Sequence, residues 1–455
     1  MRKFTAILFL FALPLVAQDT AAIDKAVNEI LTKSGAPSAS IAVVKDGKIV
    51  YTHAYGLARI DPPMPATADM RYSIGSISKQ FTASAILMLA EEGKLSLDDK
   101  LVRWFPDLTR ASDVTVRELL SMTSGYQDFW PQDYVMPRML DPVTAQEILN
   151  DWARKPLDFE PGTKWQYSNT NYVIAGLLVE RVSGTPILDL LQRRVFGPLQ
   201  MTTVFNTDLA PLGADQPTRY LRYAVGPLRV APKEGRGWMF AAGELAMTAH
   251  DLALWDISII DQTILKPASY KALETEAQLA NGVGTRYGLG VGVGMSEGRR
   301  GLSHGGEVSG FTATNNVYPD DRAAVVVLTN LDATGASSQI ASRIATLLFA
   351  TTDPATAKTT EQMRAIFDGL QKGQIDRSQF TSNANAYFSD QALKDFAASL
   401  APLGKPQEFT QASQSLRGGM TLRRYRIQFA EKTLSLTTFI MPDGKIEQYQ
   451  IAASE

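Results

Sequence analysis

The stretch from Phe81 to Ala90 (Phe81-Thr82-Ala83-Ser84-Ala85-Ile86-Leu87-Met88-Leu89-Ala90) carries no charge and only two hydroxyls. A run this apolar on every side reads as a helix that must be covered all round. It follows Tyr72-Ser73-Ile74-Gly75-Ser76-Ile77-Ser78-Lys79-Gln80. Gly75 allows a sharp turn into the helix. Ser76 then falls on its first turn, with Lys79 one turn on and on the same face. The helix N-terminus offers free N–H groups and a positive end, suited to holding an oxyanion. The lysine can hold or move the proton that a serine must lose to become a nucleophile. Taken alone, so short a motif fits a capped, buried helix bearing a surface lysine. Two facts weigh against that. No other serine in the chain has a lysine three residues later. In so apolar a helix, a polar pocket is the cheap place for the amine.

The chain has 455 residues, enough for two or three domains, with 45% apolar and 20% charged residues and a net charge of −2. No basic surface for nucleic acid is indicated. Met1-Arg2-Lys3, an apolar run from Phe4 to Val16, and Ala17 form a secretory signal pattern, expected to end at residue 17. A retained membrane anchor is the competing reading, although the run is short for a span. The mature protein is thus expected to be secreted or periplasmic, with no stable membrane span. The absence of cysteine excludes disulfides, thiolate metal sites and a lipidated N-terminal Cys. No metal and no cofactor are expected.

Along the chain, residues 21–33 have helical spacing. Residues 38–51 read as a hairpin around Asp46-Gly47, with His53 just beyond it. Short helices are expected over 116–121, 173–182, 251–259 and 340–348. Tyr126, Phe129, Trp130 and Tyr134 either line a cleft or pack under a loop. Residues 301–311 read as a glycine-rich turn, followed by a hairpin of 312–318 and 323–330. Strands near both ends with helices between them predict an α+β fold, an antiparallel sheet with a helical insert. Residues 351–360 turn small and polar and are expected to be a linker. Beyond it, 361–455 reads as a small α+β domain, with helices at 361–371 and 390–400 and four strands from 408 to 451. The main domain spans 18–350.

Two further motifs carry candidate chemistry. Tyr167-Ser168-Asn169 is the only Tyr-x-Asn. A phenol beside a lysine cation can drop in pKa and become a base, and an asparagine can both donate to and accept from a substrate amide. His304-Gly305-Gly306 is the only His-x-Gly. Its glycines permit close backbone approach to a substrate, and its histidine can donate to a substrate carboxylate or to the tyrosine oxygen. In isolation, a buried tyrosine in a turn and an ordinary glycine-rich turn explain these equally simply.

The order Ser76-x-x-Lys79, Tyr167-x-Asn169, His304-x-Gly306 resembles the penicillin-recognising serine hydrolases: class C β-lactamases, D-alanyl-D-alanine carboxypeptidases, D-aminopeptidases and related esterases. The flanks Leu119–Gly125, Pro161-Gly162 and Ser309-Gly310-Phe311 resemble them too, over about residues 20–350. The resemblance implies a β-lactamase/transpeptidase-like antiparallel sheet flanked by helices, with a helical lobe. It implies an acyl-enzyme on Ser76, with Lys79 and Tyr167 sharing proton transfer and Asn169 holding substrate. Backbone N–H groups of Ser76 and Glu307 would form the oxyanion hole, beside His304, Gly305 and Gly306. Two departures stand out. Class C β-lactamases usually carry Lys-Thr-Gly where His304-Gly305-Gly306 stands. A permanent cation is replaced by a group mostly neutral at pH 7, so weak β-lactam turnover is expected. Met122 stands where relatives often have His, with packing consequences only.

The expected function is an exported serine hydrolase acting on an amide, a peptide of the D-amino acid type, or an ester, its partner a small-molecule or peptide substrate. The alternative is an inactive relative that binds peptidoglycan-like or peptide ligands, against which the full residue set argues. A third reading makes the C-terminal domain the active part, binding a partner or small ligand.

Overall fold

The computed structural model describes residues 15–296, 298–350 and 354–453. The expected signal segment lies outside the described residues up to position 14. The first helix runs Leu15–Ser34. The chain divides into two compact units, Met1–Met295 with Arg300–Ile344, and Ser296–Arg299 with Ala345–Glu455.

The first unit is built on a seven-stranded sheet. Its strand order is Met64–Pro65, Lys48–Arg59, Ser38–Lys45, Ala323–Thr329, Phe311–Tyr318, Arg299–Val308, Gly292–Ser296. Ser40 pairs with Leu328, Thr314 with Val327 and Gly306 with Ala313, all antiparallel. The N-terminal hairpin turns at Asp46 and Gly47, both with positive φ, as an Asp-Gly turn requires. It is longer than expected, so His53 sits within its second strand. Ala323–Thr329 lies between strands from the two ends of the sequence and is buried throughout. Its β-branched, alternation-free composition suits a centre covered on both faces.

The apolar run forms the helix Ser78–Glu91, buried from Ser78 through Leu89. Phe81 meets Phe196 and Trp255 with ring centroids 5.4 and 4.8 Å apart. Burying each such large side chain contributes about 1.5–3 kcal/mol. The helix's polar side chains are bonded rather than exposed. Thr82 Oγ1 donates to the Ala241 carbonyl at 2.7 Å, and Trp255 Nε1 donates to Gln80 Oε1 at 2.9 Å. The helix packs on Asn169–Ser183. That second helix begins at Asn169, four residues earlier than its apolar spacing indicates, because polar residues fill its first turn.

The glycine-rich stretch is not a turn. His304, Gly305 and Gly306 lie in the strand Arg299–Val308, and the chain reverses at Ser309-Gly310. Glycines in a strand mark close backbone approach as well as turns. Here a Cβ on Gly306 would stand 1.9 Å from the Ile74 carbonyl oxygen.

In the second unit, the four-stranded sheet Glu408–Arg417, Met420–Gln428, Thr433–Ile440, Ile446–Ala453 is antiparallel in sequence order. The helices Pro354–Leu370 and Asp390–Leu400 belong to the same unit. Met363, Phe367, Phe388, Leu436 and Tyr449 share its core. Residues 354–360 are therefore helix rather than linker. Pro354 tolerates the first helical position, where no N–H partner is needed. The rest of the expected linker core, 351–353, lies outside the described residues.

Candidate active site

Ser76 sits in the single turn Gly75–Ile77 that leads into the Ser78–Glu91 helix. Gly75 has φ +51° and presses against the strand backbone. A Cβ there would stand 2.7 Å from the Glu307 nitrogen. Gly75 and Gly306 thus clamp the Ser76 turn to the His304 strand. The glycines serve the chain's own close packing at Gly306, while Gly305 lies open to the cavity.

Lys79 has no solvent exposure. Its Nζ donates to Ser76 Oγ at 2.9 Å, to Asn169 Oδ1 at 2.8 Å and to the Ala242 carbonyl at 2.8 Å. Three acceptors match the three protons of an ammonium. Burial nonetheless lowers its pKa to about 7, with the Asp128 charge opposing the drop. Close to neutrality, the amine is therefore divided between its two protonation states.

Tyr167 stacks beside this amine, with Nζ 4.9 Å from the ring centroid. The expected drop in its pKa does not occur. Burial raises it, and the neighbouring Ser76 hydroxyl offsets only part of the rise. The phenol oxygen faces Ser76 without reaching full hydrogen-bond geometry, and it is buried without another partner among the described residues. Desolvation of a would-be phenolate, joined by the Asp128 charge, outweighs the help that the Ser76 hydroxyl gives. A neutral phenol is placed here, one that can give or relay a proton.

His304 is also corrected. It is 8% exposed, and burial together with the Lys79 charge lowers its pKa to about 4. Its Nδ1 lies 2.5 Å from the Gly305 carbonyl, which can only accept, so Nδ1 carries the proton. Nε2 then accepts from the Tyr287 hydroxyl at 2.8 Å. Both ring nitrogens are occupied. The ring offers no donor to a substrate carboxylate or to Tyr167, and at pH 7 it carries no charge.

Asn169 bridges Lys79 and an acid. Its Oδ1 accepts from Lys79, so its Nδ2 faces Asp128 Oδ2 at 3.3 Å. Asp128 Oδ1 also accepts from the backbone N–H of Asn169 at 2.9 Å and of Trp130 at 3.2 Å. Burial raises the Asp128 pKa. Met122 does more than pack. It adopts φ +63°, and its Sδ accepts from the Ser168 backbone N–H at 3.4 Å. This contact fastens the loop that carries Tyr167 and Asn169.

These residues open onto a cavity of about 460 Å³. Ser76, Tyr167, Asn169, His304, Gly305, Gly306 and Glu307 line it. Trp130 and Tyr134 line it too, whereas Tyr126 and Phe129 are core residues, 1% exposed each. The aromatic cluster therefore divides between the two expected roles. Sequence reasoning missed Asp128, Tyr287 and the Ala242 carbonyl. Asp128 lies inside the aromatic stretch that drew notice, but nothing local distinguishes it from a surface aspartate. A backbone carbonyl has no sequence signal at all. No metal-binding group of His, Cys, Asp or Glu occurs among the described residues.

A serine and a neutral phenol on one cavity, with a buried low-pKa lysine bonded to the serine behind it, against an antiparallel sheet, are the architecture of a serine hydrolase. The chain belongs to the Beta-lactamase family, whose model matches residues 23–348. It is 30% identical over 331 residues to a D-aminopeptidase of Brucella anthropi, covering 72% of this chain and 62% of that one. The chain thus spans less than two thirds of that relative's length. Penicillin-binding protein 4* of Bacillus subtilis is 28% identical over 305 residues, covering 64% of this chain and 67% of that one. Among solved structures, a D-stereospecific amidohydrolase from Streptomyces aligns with TM-score 0.61 at 26% identity, over 70% of this chain and 96% of that one. The octameric penicillin-binding protein homologue from Pyrococcus abyssi shares the fold with TM-score 0.65 at 21% identity, over 96% of both chains.

Proposed function

We propose that the protein is an exported hydrolase that forms an acyl-enzyme on Ser76 and cleaves an amide, peptide or ester bond, with D-amino acid compounds the leading class. The observation that carries this reading is the 2.9 Å contact from Lys79 Nζ to Ser76 Oγ by an amine whose pKa lies near 7. The neutral amine accepts the Ser76 proton as Oγ attacks the carbonyl carbon. Backbone N–H groups of Ser76 and Glu307 hold the resulting oxyanion. Tyr167 gives its proton to the leaving group as the bond to it breaks, and Lys79 restores that proton. Water then repeats the cycle on the ester, returning Ser76 and releasing the acid. Asn169, held between Lys79 and Asp128, has an N–H left for the substrate carbonyl. The names of the relatives support the D-amino acid class, and the basic-then-apolar start of the chain supports export.

The test is labelling with a fluorophosphonate and a fluorescent penicillin, with the adduct located by mass spectrometry. A panel of p-nitrophenyl esters, D- and L-amino acid amides and nitrocefin follows. An adduct on Ser76 with turnover of an ester or amide is expected. A protein that binds such compounds without ever being acylated would be the inactive relative instead.

A further inference from the structure

The neutral Lys79 amine has two N–H groups and one lone pair. Its three neighbours are Asn169 Oδ1 and the Ala242 carbonyl, each at 2.8 Å, and Ser76 Oγ at 2.9 Å. The first two can only accept, so they take the two N–H groups and leave the lone pair for the Ser76 hydroxyl. The Ala242 carbonyl is thus one of two atoms that aim the base. It sits in the turn from Gly237 to Gly243, of which Met239, Ala242 and Gly243 line the cavity. Within the turn, the Met239 carbonyl accepts from the Ala242 and Gly243 N–H groups at 3.0 and 2.9 Å. Ala241 has φ +54°, a conformation that a residue with a side chain keeps only when its surroundings hold it there. Two consecutive residues, Thr207 and Asp208, clasp the turn at both ends. At its start, both oxygens of the Asp208 carboxylate accept from the Gly237 N–H at 2.9 Å, and Oδ1 also accepts from the Met239 N–H at 3.3 Å. Just past its end, the Glu244 carbonyl accepts from the Thr207 N–H at 2.8 Å and from Thr207 Oγ1 at 3.0 Å. Asp208 is buried, and among the described residues every hydrogen bond to its carboxylate comes from this turn. An unbroken chain of bonds then runs from Asp208 through Met239 and Ala242 to Lys79.

We propose that Asp208 is a positioning residue for the reaction: by holding the Gly237 and Met239 N–H groups it fixes the turn that keeps the Ala242 carbonyl on the Lys79 amine, and so keeps the amine's lone pair on Ser76. Asp208 itself does not line the cavity. The charged and titratable groups that act on it are Glu244, Lys233 and Arg236. Those around Lys79 are Asp128, Tyr167, Tyr172 and His304. The two sets share no member, so the carboxylate reaches the amine through the turn and not by its field. A displaced carbonyl lets the amine rotate and turn its lone pair away from Ser76. That slows removal of the serine proton and leaves the contacts to the substrate in place. This deepens the hydrolase reading and rests on it for the role of Lys79 as base.

The test is a double-mutant cycle between Asp208 and Lys79. It is read as the rate at which a fluorophosphonate labels Ser76, and as kcat and KM on a p-nitrophenyl ester. Asp208→Ala is expected to lower the labelling rate and kcat at least about 10-fold, with KM within about 3-fold of the wild type. Asp208→Asn keeps one acceptor oxygen, so it falls between Asp208→Ala and the wild type, and it carries the same comparison should Asp208→Ala not fold. In the Lys79→Met background either Asp208 variant changes the residual labelling rate by less than about 2-fold, because the base it aims is gone. Where that residual rate is too slow to measure, the acid limb of kcat/KM decides. In the Asp208 variants it drops from near pH 7 by at least about half a pH unit, as the ammonium loses an acceptor. Wild-type kcat in both Asp208 variants, or an equal fall with and without Lys79, overturns the proposal, as does an acid limb that does not drop. A wild-type protein that neither labels at Ser76 nor turns over an ester overturns the hydrolase reading itself. A wild type that labels, with Asp208 variants that behave like it, overturns this proposal alone.

Discussion

Lys79 reaches Ser76 Oγ at 2.9 Å from a position with no solvent exposure at all. That pairing of contact and burial sets the chemistry. An exposed lysine in the same place would hold its proton to pH 10 and could take none from serine.

The pH dependence follows. The Lys79 pKa is lowered from 10.5 to about 7. On the acid side, kcat/KM is expected to rise through pH 7 as the amine loses its proton. Stability has a matching signature. Between about pH 7 and 10.5 the unfolded lysine holds a proton that the folded one has released. Stability then rises with pH by up to about 1.4 kcal/mol per unit. Lys79→Met removes both effects, lowering activity by about a thousandfold or more. Denaturant melts of the two proteins at pH 7 and pH 9 check the slope.

Tyr167→Phe separates catalysis from folding. The Tyr167 hydroxyl is buried and makes no full hydrogen bond. Its loss costs the fold nothing and relieves up to about 1 kcal/mol of desolvation. A proton donor is lost from the reaction, so kcat falls about 10²–10⁴-fold. Tm and steady-state rates, measured on one preparation, should move independently. A fall in Tm comparable to that of a core truncation would contradict this placement.

The paired glycines of the His304 strand should behave differently. A Cβ on Gly306 would meet the Ile74 oxygen at 1.9 Å, whereas one on Gly305 finds nothing nearer than Ala313 O at 3.9 Å. Gly306→Ala is expected to destabilise by about 3 kcal/mol, because both partners are backbone and cannot move aside. Gly305→Ala should fold normally, within about 1 kcal/mol, and alter KM instead, since it intrudes on the cavity. Thermal melts and Michaelis parameters of the two variants decide it.

Cephalosporin turnover should be weak. His304 becomes charged only near pH 4, and four carboxylates line the cavity that a β-lactam would enter. Nitrocefin kcat/KM is expected to remain at least about 100-fold below that of the best amide or ester. It should gain nothing between pH 8 and pH 5, where an ordinary histidine would protonate. Efficient turnover, or a rise centred near pH 6.5, would show that the ring is not held neutral.

Much of this protein was legible in its residues. The uniformly apolar run after Ser76 dictated an interior helix, because such a surface has no stable exposed face. Asp46-Gly47 fixed the first hairpin, Asp443-Gly444 lies between the last two strands, and the spacing of Ser76 and Lys79 put their side chains together on one turn. Local geometry decides such features, so sequence suffices for them. What the residues by themselves left open was every property that depends on what lies across a gap. Whether His304 sits in a turn or a strand depended on pairing with Phe311–Tyr318. Whether Tyr167 ionises depended on its burial and on the charge of Asp128, and Asp128 entered the site only because the chain folds it against Asn169, 41 positions away. Charge states and partners are set by desolvation and by distant neighbours, which only the folded chain brings together.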